Sequence, residues 1–397
     1  MTDRIVVVGA GYAGAGTVDS LTEELPAAGL EDDVELVWIN EHDYHLVLHE
    51  AHRVIRDPSV ASKITIPCES ILPDWGEFVQ DRVVGLDTDG RTHELEDGEP
   101  VDYDYLLLGV GSATAFFGID GLREHALTLK SLADAREIHE DVKQAAADAS
   151  VADPAQVIVG GAGLSGIQAA GEIAEYRDEH DAPIDVHLVE GLDEVFPNNP
   201  DDVQQAIRSR LEAADVNIEC GEFISSVDDD TVYVGGGEDE APEEMPYDVL
   251  VWTGGITGRE ELEDTDLEKD DRSRRVFADR DFQTSDDRVF AIGDTALIDQ
   301  GEDDVAPPTA VAAWTAAEVA GENLVNAVQG RPLSQWTYED KGTLISVGDE
   351  AVAHDIDALP FDTFGGIGAK LLKKGAAVRW IASVSSVGRG MSAWGDM

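Results

Sequence analysis

RIVVVGAGYAGAG, residues 4–16, is a β-branched run followed by glycines at 9, 11 and 14 and then by small residues suited to a helix. This is the pattern of a buried strand turning tightly into a helix beneath a dinucleotide. Gly9 permits the tight turn, Gly11 lets backbone approach a diphosphate at the helix N-terminus, and Gly14 lets helix pack against strand. One GxGxxG also fits an ordinary turn, so a second occurrence decides the reading. AQVIVGGAGLSGIQAAGEI, residues 155–173, repeats strand, glycines and helix with Gly161, Gly163 and Gly166. The chain is therefore expected to be α/β, with two Rossmann-like dinucleotide-binding domains.

Each unit should end its next strand on a group that accepts hydrogen bonds from ribose hydroxyls. DVHLVEG supplies Glu190 with no arginine after it, which favours NADH over NADPH. In the first unit VELVWIN ends on Asn40, followed by Glu41, a less regular contact. Two further stretches join that unit: YDYLLLGVGSAT, residues 103–114, turning at Gly111, and RVFAIGDTA, residues 288–296, ending on Gly293 and Asp294. An aspartate there can accept hydrogen bonds from a ribityl chain or cap a helix. The helical segment from Thr309 follows Pro307 and Pro308, so amides near Ala310 can face a flavin ring.

The 397 residues hold 83 acidic and 27 basic side chains, a formal charge of −56, alongside 43% hydrophobic content. The acids are scattered through every segment and only eight of the basic residues are lysine, which fits a protein working in concentrated salt. Nucleic acid is an unsuitable partner for such a surface. Cys68 and Cys220 form no CxxC pair, so no dithiol motif is present. The chain enters a strand at once, so no signal peptide is expected, and no 18-residue apolar run occurs. A cytoplasmic protein, peripheral on the inner face of the cell membrane, is expected. GGGEDEAPEE (235–244) and QGEDDV (300–305) read as solvated loops.

In order along most of the chain, VVGAGYAG, YDYLLLGVGS, GIDGLREHALTLKSLADA, IVGGAGLSGIQAAGEIAE, VHLVEG, YDVLVWTGG and VFAIGDTALI resemble the two-dinucleotide-binding-domain flavoproteins. Within them they resemble the type II NADH:quinone oxidoreductases. The resemblance implies non-covalent FAD held by Gly9, Gly11, Gly14, Asn40, Glu41, Val84, Gly111, Gly293, Asp294 and Ala310. It implies NADH as substrate at Gly161, Gly163, Gly166, Glu190, Gly254 and Gly255, and a quinone or other electron acceptor beyond the flavin. Gln168, His45, His49 and Lys341 are the implied catalytic positions. The implied domains are FAD-binding (1–115 and 280–330), NADH-binding (116–279) and a C-terminal segment (331–397). The sequence departs from the family at two places. Gln168 stands where a glutamate is usual, and Ala310 to Thr315 lack the glutamines of AQxAxQ. Two alternatives therefore stay open: a soluble electron acceptor, or a non-catalytic flavoprotein that senses NADH. No cysteine pair supports sulfide chemistry.

NEHDYHLVLHEAHR, residues 40–53, carries His42, His45, His49 and His52. In a helix the last three share a face. HEAH lacks the spacing of HExxH and the family needs no metal, so no metal site is expected. The resemblance places His45 or His49 in the flavin–acceptor pocket as a proton relay; packing is the alternative. Residues 366–397 place Leu371, Val378, Ile381, Val384, Val387, Met391 and Trp394 on one helical face, with Lys370, Lys373 and Lys374 near its start. That reads as a helix lying on a membrane surface, against a helix docked on the acidic body or a homodimer contact.

Overall fold

The computed structural model describes residues 2–237, 241–302, 304–356 and 362–395. The first strand, Asp3–Val8 (β1), leads through the Gly9–Gly11 turn into Tyr12–Ala28 (α1), which ends on Gly29 in the left-handed region. Val34–Asn40 (β2), Glu77–Gln80 (β3) and Tyr105–Leu108 (β4) follow. β1 lies parallel between β2 and β4, with Ile5 beside Leu36 on one side and Tyr105 on the other. Both its faces are covered, which is why IVVV runs apolar without alternation. Trp38, fully buried in β2, donates Nε1–H to the Gly9 carbonyl at 2.9 Å.

The chain then leaves this sheet. Leu132–Asp148 (α2) starts with a reciprocal cap: Ser131 Oγ accepts from the Asp134 amide (3.0 Å) and donates to its carboxylate (2.6 Å). Ala155–Gly160 (β5), Leu164–Glu179 (α3), Ile184–Glu190 (β6), Val216–Cys220 (β7) and Val249–Trp252 (β8) make the second parallel sheet, in the order β7-β6-β5-β8. Val289–Ala291 (β9) then returns beside β4, completing the first sheet as β9-β4-β1-β2-β3. The α/β architecture expected from the two glycine motifs, with a parallel sheet built on each, is present.

Ala310–Val328 (α4) packs on α1 through small residues: a Cβ at Gly321 would stand 2.3 Å from Ser20 Oγ, and one at Gly16 2.8 Å from Ala317 Cβ. The C-terminal part is an antiparallel sheet, Thr343–Val347 (β10), Glu350–His354 (β11) and Thr363–Gly365 (β12), followed by Ile367–Val384 (α5) and Val387–Ala393 (α6). β10 runs close to α3, where a Cβ at Gly171 would meet the Gly348 amide nitrogen at 2.4 Å. Residues 238–240 and 303, within the two expected acidic loops, lie outside the described residues.

Two local expectations are corrected. The histidine stretch is not one helix: Tyr44–Leu46 is a strand, Leu48–Glu50 a 3₁₀ turn and Arg53–Arg56 a single helical turn. Val47 is held between the strand and the turn by its amide bonding Ile64 O, which breaks the helical spacing. The C-terminal apolar face also divides. Ile381 and Val384 are buried, while Leu371, Val387 and Met391 are exposed, and the helix breaks at Ser385 before Ser386 caps α6. The inward face of α5 is Ala369, Lys373, Ala377, Trp380, Ile381 and Val384. Ion pairing of Lys373 and a hydrogen bond from Trp380 turn that face inward. No helix among the described residues is long and apolar enough to cross a membrane.

Candidate active site

Both glycine loops open into one cleft of about 810 Å³. In each loop the three glycines divide their work. Gly9 (φ +100°) and Gly161 (φ +92°) make the turn, and a Cβ on either would run into the backbone of the adjacent strand's loop. Gly14 and Gly166 lie so close to the turn that a Cβ would fall 1.8 Å from the carbonyl oxygens of Gly9 and Gly161. Gly11 and Gly163 face open space, with nothing within 4 Å of an added Cβ. Each is the N-cap of its helix and supplies no side-chain cap, so a ligand can approach unpaired amides there.

The residue ending each second strand braces its loop. Asn40 Oδ1 accepts from the Ala10 amide at 2.9 Å, and Glu190 Oε2 accepts from the Ala162 amide at 2.7 Å. The two units thus repeat one geometry with different side chains. Glu41 lies on the cleft wall. Gly111 donates its amide to Thr295 Oγ1 at 2.8 Å, and Ser112 Oγ donates to Asp294 Oδ2 at 3.1 Å, which fixes the aspartate in the cleft. Gly293 (φ +68°) seats between Ala13 and Ala313. Ala310, at the start of α4, also lines the cleft.

Further in, side chains from four distant segments meet. Glu50 and Glu172 are fully buried, and His52, Arg53, Ser346 and Lys373 nearly so. Lys373 Nζ donates to Ser346 Oγ at 2.6 Å and lies 3.9 Å from Glu50 Oε1. Arg53 Nε donates to Glu50 Oε2 at 2.5 Å, and Arg56 Nε lies 3.1 Å from Glu172 Oε2. Ser346 Oγ also receives Gln168 Nε2 at 3.2 Å and stands 3.0 Å from His52 Nε2. The two carboxylates respond differently. Burial opposes ionisation of Glu50, but Lys373, Arg53 and His49 outweigh it and hold the acid below its ordinary value. For Glu172 burial prevails over Arg56, Arg53 and Lys373, and the acid is raised. Burial brings the Lys373 ammonium down to about 8.

His45 and His49 differ in what they can do. His45 is fully buried; its Nδ1 lies 2.7 Å from Ala10 O and its Nε2 accepts from Trp380 Nε1 at 2.8 Å. The carbonyl requires the proton on Nδ1, so this neutral ring has both nitrogens engaged and does not line the cleft. His49 does line it, held by the Tyr12 hydroxyl at Nδ1, with Nε2 3.5 Å from Glu50 Oε1. Burial pushes both imidazoles down to about 4.

Two expected positions are corrected. Val84 is 44% exposed and off the cleft, while its neighbour Val83 lines it, at a bulge in the strand pairing that re-aims the side chains. Lys341 is exposed and off the cleft; Lys373 occupies the site instead. Gln168, Gly163 and Gly255 line the cleft as well. Gly254 packs instead on the Trp252 indole, which a Cβ there would strike at 2.2 Å. Sequence reasoning missed Glu50, Arg53, Glu172, Ser346 and Lys373. The available signal was the spacing of Lys373, which falls in helical register with Ala377, Trp380 and Val384.

A family model described as Pyridine nucleotide-disulphide oxidoreductase matches residues 3–318. The chain belongs to that family. It is a homologue of type II NADH:quinone oxidoreductases, 27% identical over 367 residues to that of Staphylococcus saprophyticus, spanning 89% of this chain and 88% of that protein. With the Staphylococcus aureus protein of the same name it is 26% identical over 409 residues, spanning 97% and 96%. The structure of NDH2 from Plasmodium falciparum in complex with NADH matches with a TM-score of 0.86 over 99% of this chain and 98% of that one. At 15% identity that is a likeness of fold. Members of the pyridine nucleotide-disulphide oxidoreductase family bind FAD and NAD(H). The open space over Gly11 and Gly163 and the two uncapped helix starts fit both groups.

Proposed function

We propose that this chain is an FAD-dependent NADH:quinone oxidoreductase of the type II, non-pumping kind, working at the surface of a membrane. One observation carries the reading: both dinucleotide loops open into a single cleft that reaches a buried charge cluster built around Glu50 and Lys373. FAD held at the first loop would supply the redox chemistry between NADH and the acceptor. The protein's part is position and protons. Gly11 and Gly163 would admit the two diphosphates, Asp294 would accept from ribityl hydroxyls, and Glu190 would meet the NADH ribose while bracing its own loop. Gln168, anchored on Ser346, presents an amide that orients the nicotinamide carboxamide and takes no proton.

A quinone that gains two electrons must also gain protons. Lys373, brought down to about 8 by burial, holds a proton that it can release near neutrality. Glu50 stands between it (3.9 Å) and His49 (3.5 Å), and His49 lines the cleft. We propose this series as the proton route, with His45 serving structure.

Anaerobic titration tests the whole reading. NADH should bleach the flavin band of the purified protein, and a quinone analogue should restore it. Bleaching without recovery favours a soluble acceptor; absence of bleaching favours a non-catalytic NADH sensor.

A further inference from the structure

In a chain so poor in basic residues, three cations converge beside one wall of the cleft. Lys130, just ahead of α2, and Arg259, beyond β8, both line it. Arg275 lies behind them, 5% exposed, donating from Nε to the Asp294 carbonyl (2.8 Å) and from Nη2 to the Ala296 carbonyl (2.5 Å). Lys130 Nζ donates to a neutral group, Ser112 Oγ, at 3.2 Å. Burial lowers the Lys130 ammonium from its ordinary value; Asp294 and Asp134 oppose this, while Arg259 and Arg275 repel it. Arg259 Nε is buried without a hydrogen-bond partner. Its ion pair with Glu261 is long, 3.8 Å from Nε, and that carboxylate is shared with Arg82 at 3.4 Å.

Like charges gathered at a partly desolvated wall, with an N–H left unsatisfied, are costly unless an anion lies among them. We propose that Arg259, together with Lys130, holds the diphosphate of FAD, so that a residue following the last strand of the NADH-binding sheet locks the cofactor of the other unit in place. The proposal rests on the FAD reading above. Two ties select the FAD diphosphate over that of NADH. Ser112 links Lys130 to Asp294, at the end of β9 in the first sheet. Glu261 links Arg259 to Arg82, next to Val83 on the same wall as Asn40 and Glu41. A planar guanidinium is also suited to two phosphate oxygens at once.

The test is cofactor retention. Purified holoenzyme is diluted and FAD release is followed as the rise in free-flavin fluorescence, for the wild type, Arg259→Gln, Arg259→Lys and Lys130→Met. Arg259→Gln should release FAD about 10- to 100-fold faster, with Arg259→Lys between it and the wild type. Lys130→Met should also accelerate release, and serves alone if Arg259→Gln does not fold. NADH affinity, read from anaerobic bleaching, should change less than about twofold. Unchanged release in both neutralised variants overturns the proposal. So does weakened NADH binding with unchanged FAD release, which would assign Arg259 to the nicotinamide dinucleotide. A wild-type protein that carries no flavin overturns the FAD reading itself, a result distinct from either.

Discussion

His45 and His49 stand four residues apart, and their surroundings give them different tasks. His49→Ala should slow recovery of the flavin band by quinone about 100-fold while leaving bleaching by NADH intact; equal rates in both half-reactions would make His49 a packing residue. Lys373→Met should remove the fall in quinone reduction expected as the pH rises past about 8. His45→Ala leaves Ala10 O and Trp380 Nε1 buried without their partner and should destabilise the fold by about 2 to 5 kcal/mol. Buried neutral histidines also set acid sensitivity. His93 is fully buried and, like His45, is pushed down to about 4 by burial from an ordinary 6.5. Each binds its proton more readily unfolded than folded. Their contribution is therefore complete above pH 6.5 and is lost as the pH falls toward 4, at about 3 kcal/mol each. Thermal melts across that window should show the loss, and His93→Phe should flatten part of it. A His93→Phe profile as steep as the wild type rules out that residue's share.

At the scale of elements, the glycine loops were legible and the histidine stretch was not. A GxGxxG turn is dictated by backbone conformation and close approach within one strand–helix unit, so the residues that explain it are neighbours in sequence. The stretch from Tyr44 to Arg56 is three short elements, each too brief to show its own period. The C-terminal helices lie between these cases: their existence was readable, but their orientation was not. α5 docks on the body through Trp380 and Lys373, which leaves Ile367 (80% exposed), Leu371, Val387 (71% exposed) and Met391 in solvent. We propose these side chains as the membrane contact. Each should contribute about 2 kcal/mol on entering an apolar layer, so Ile367→Glu combined with Met391→Glu should abolish liposome flotation while sparing flavin reduction by NADH. Flotation equal to wild type would place the membrane contact elsewhere or remove it.

For the whole molecule, the charge of −56 is the dominant property. Self-repulsion across a dispersed acidic surface weakens the compact state, and salt screens it: the Debye length is about 10 Å at 0.1 M and about 3 Å at 1 M. The melting temperature should therefore rise by about 10 °C or more between those two KCl concentrations. A flat or falling curve would contradict adaptation to concentrated salt.

Sequence by itself determined the two Rossmann-like strand–glycine–helix units and the places of Glu190 and Asp294 at the ends of their strands. The glycine turns follow from steric demands that adjacent residues impose on one another. Tertiary structure decided that His49 and not His45 reaches the cleft, that Lys373 and not Lys341 lines it, and which face of α5 turns inward. Those outcomes depend on Glu50, Glu172, Ser346 and Lys373 meeting away from water. The energies of burial and ion pairing that select them arise only when the folded chain brings residues more than a hundred positions apart to within 4 Å.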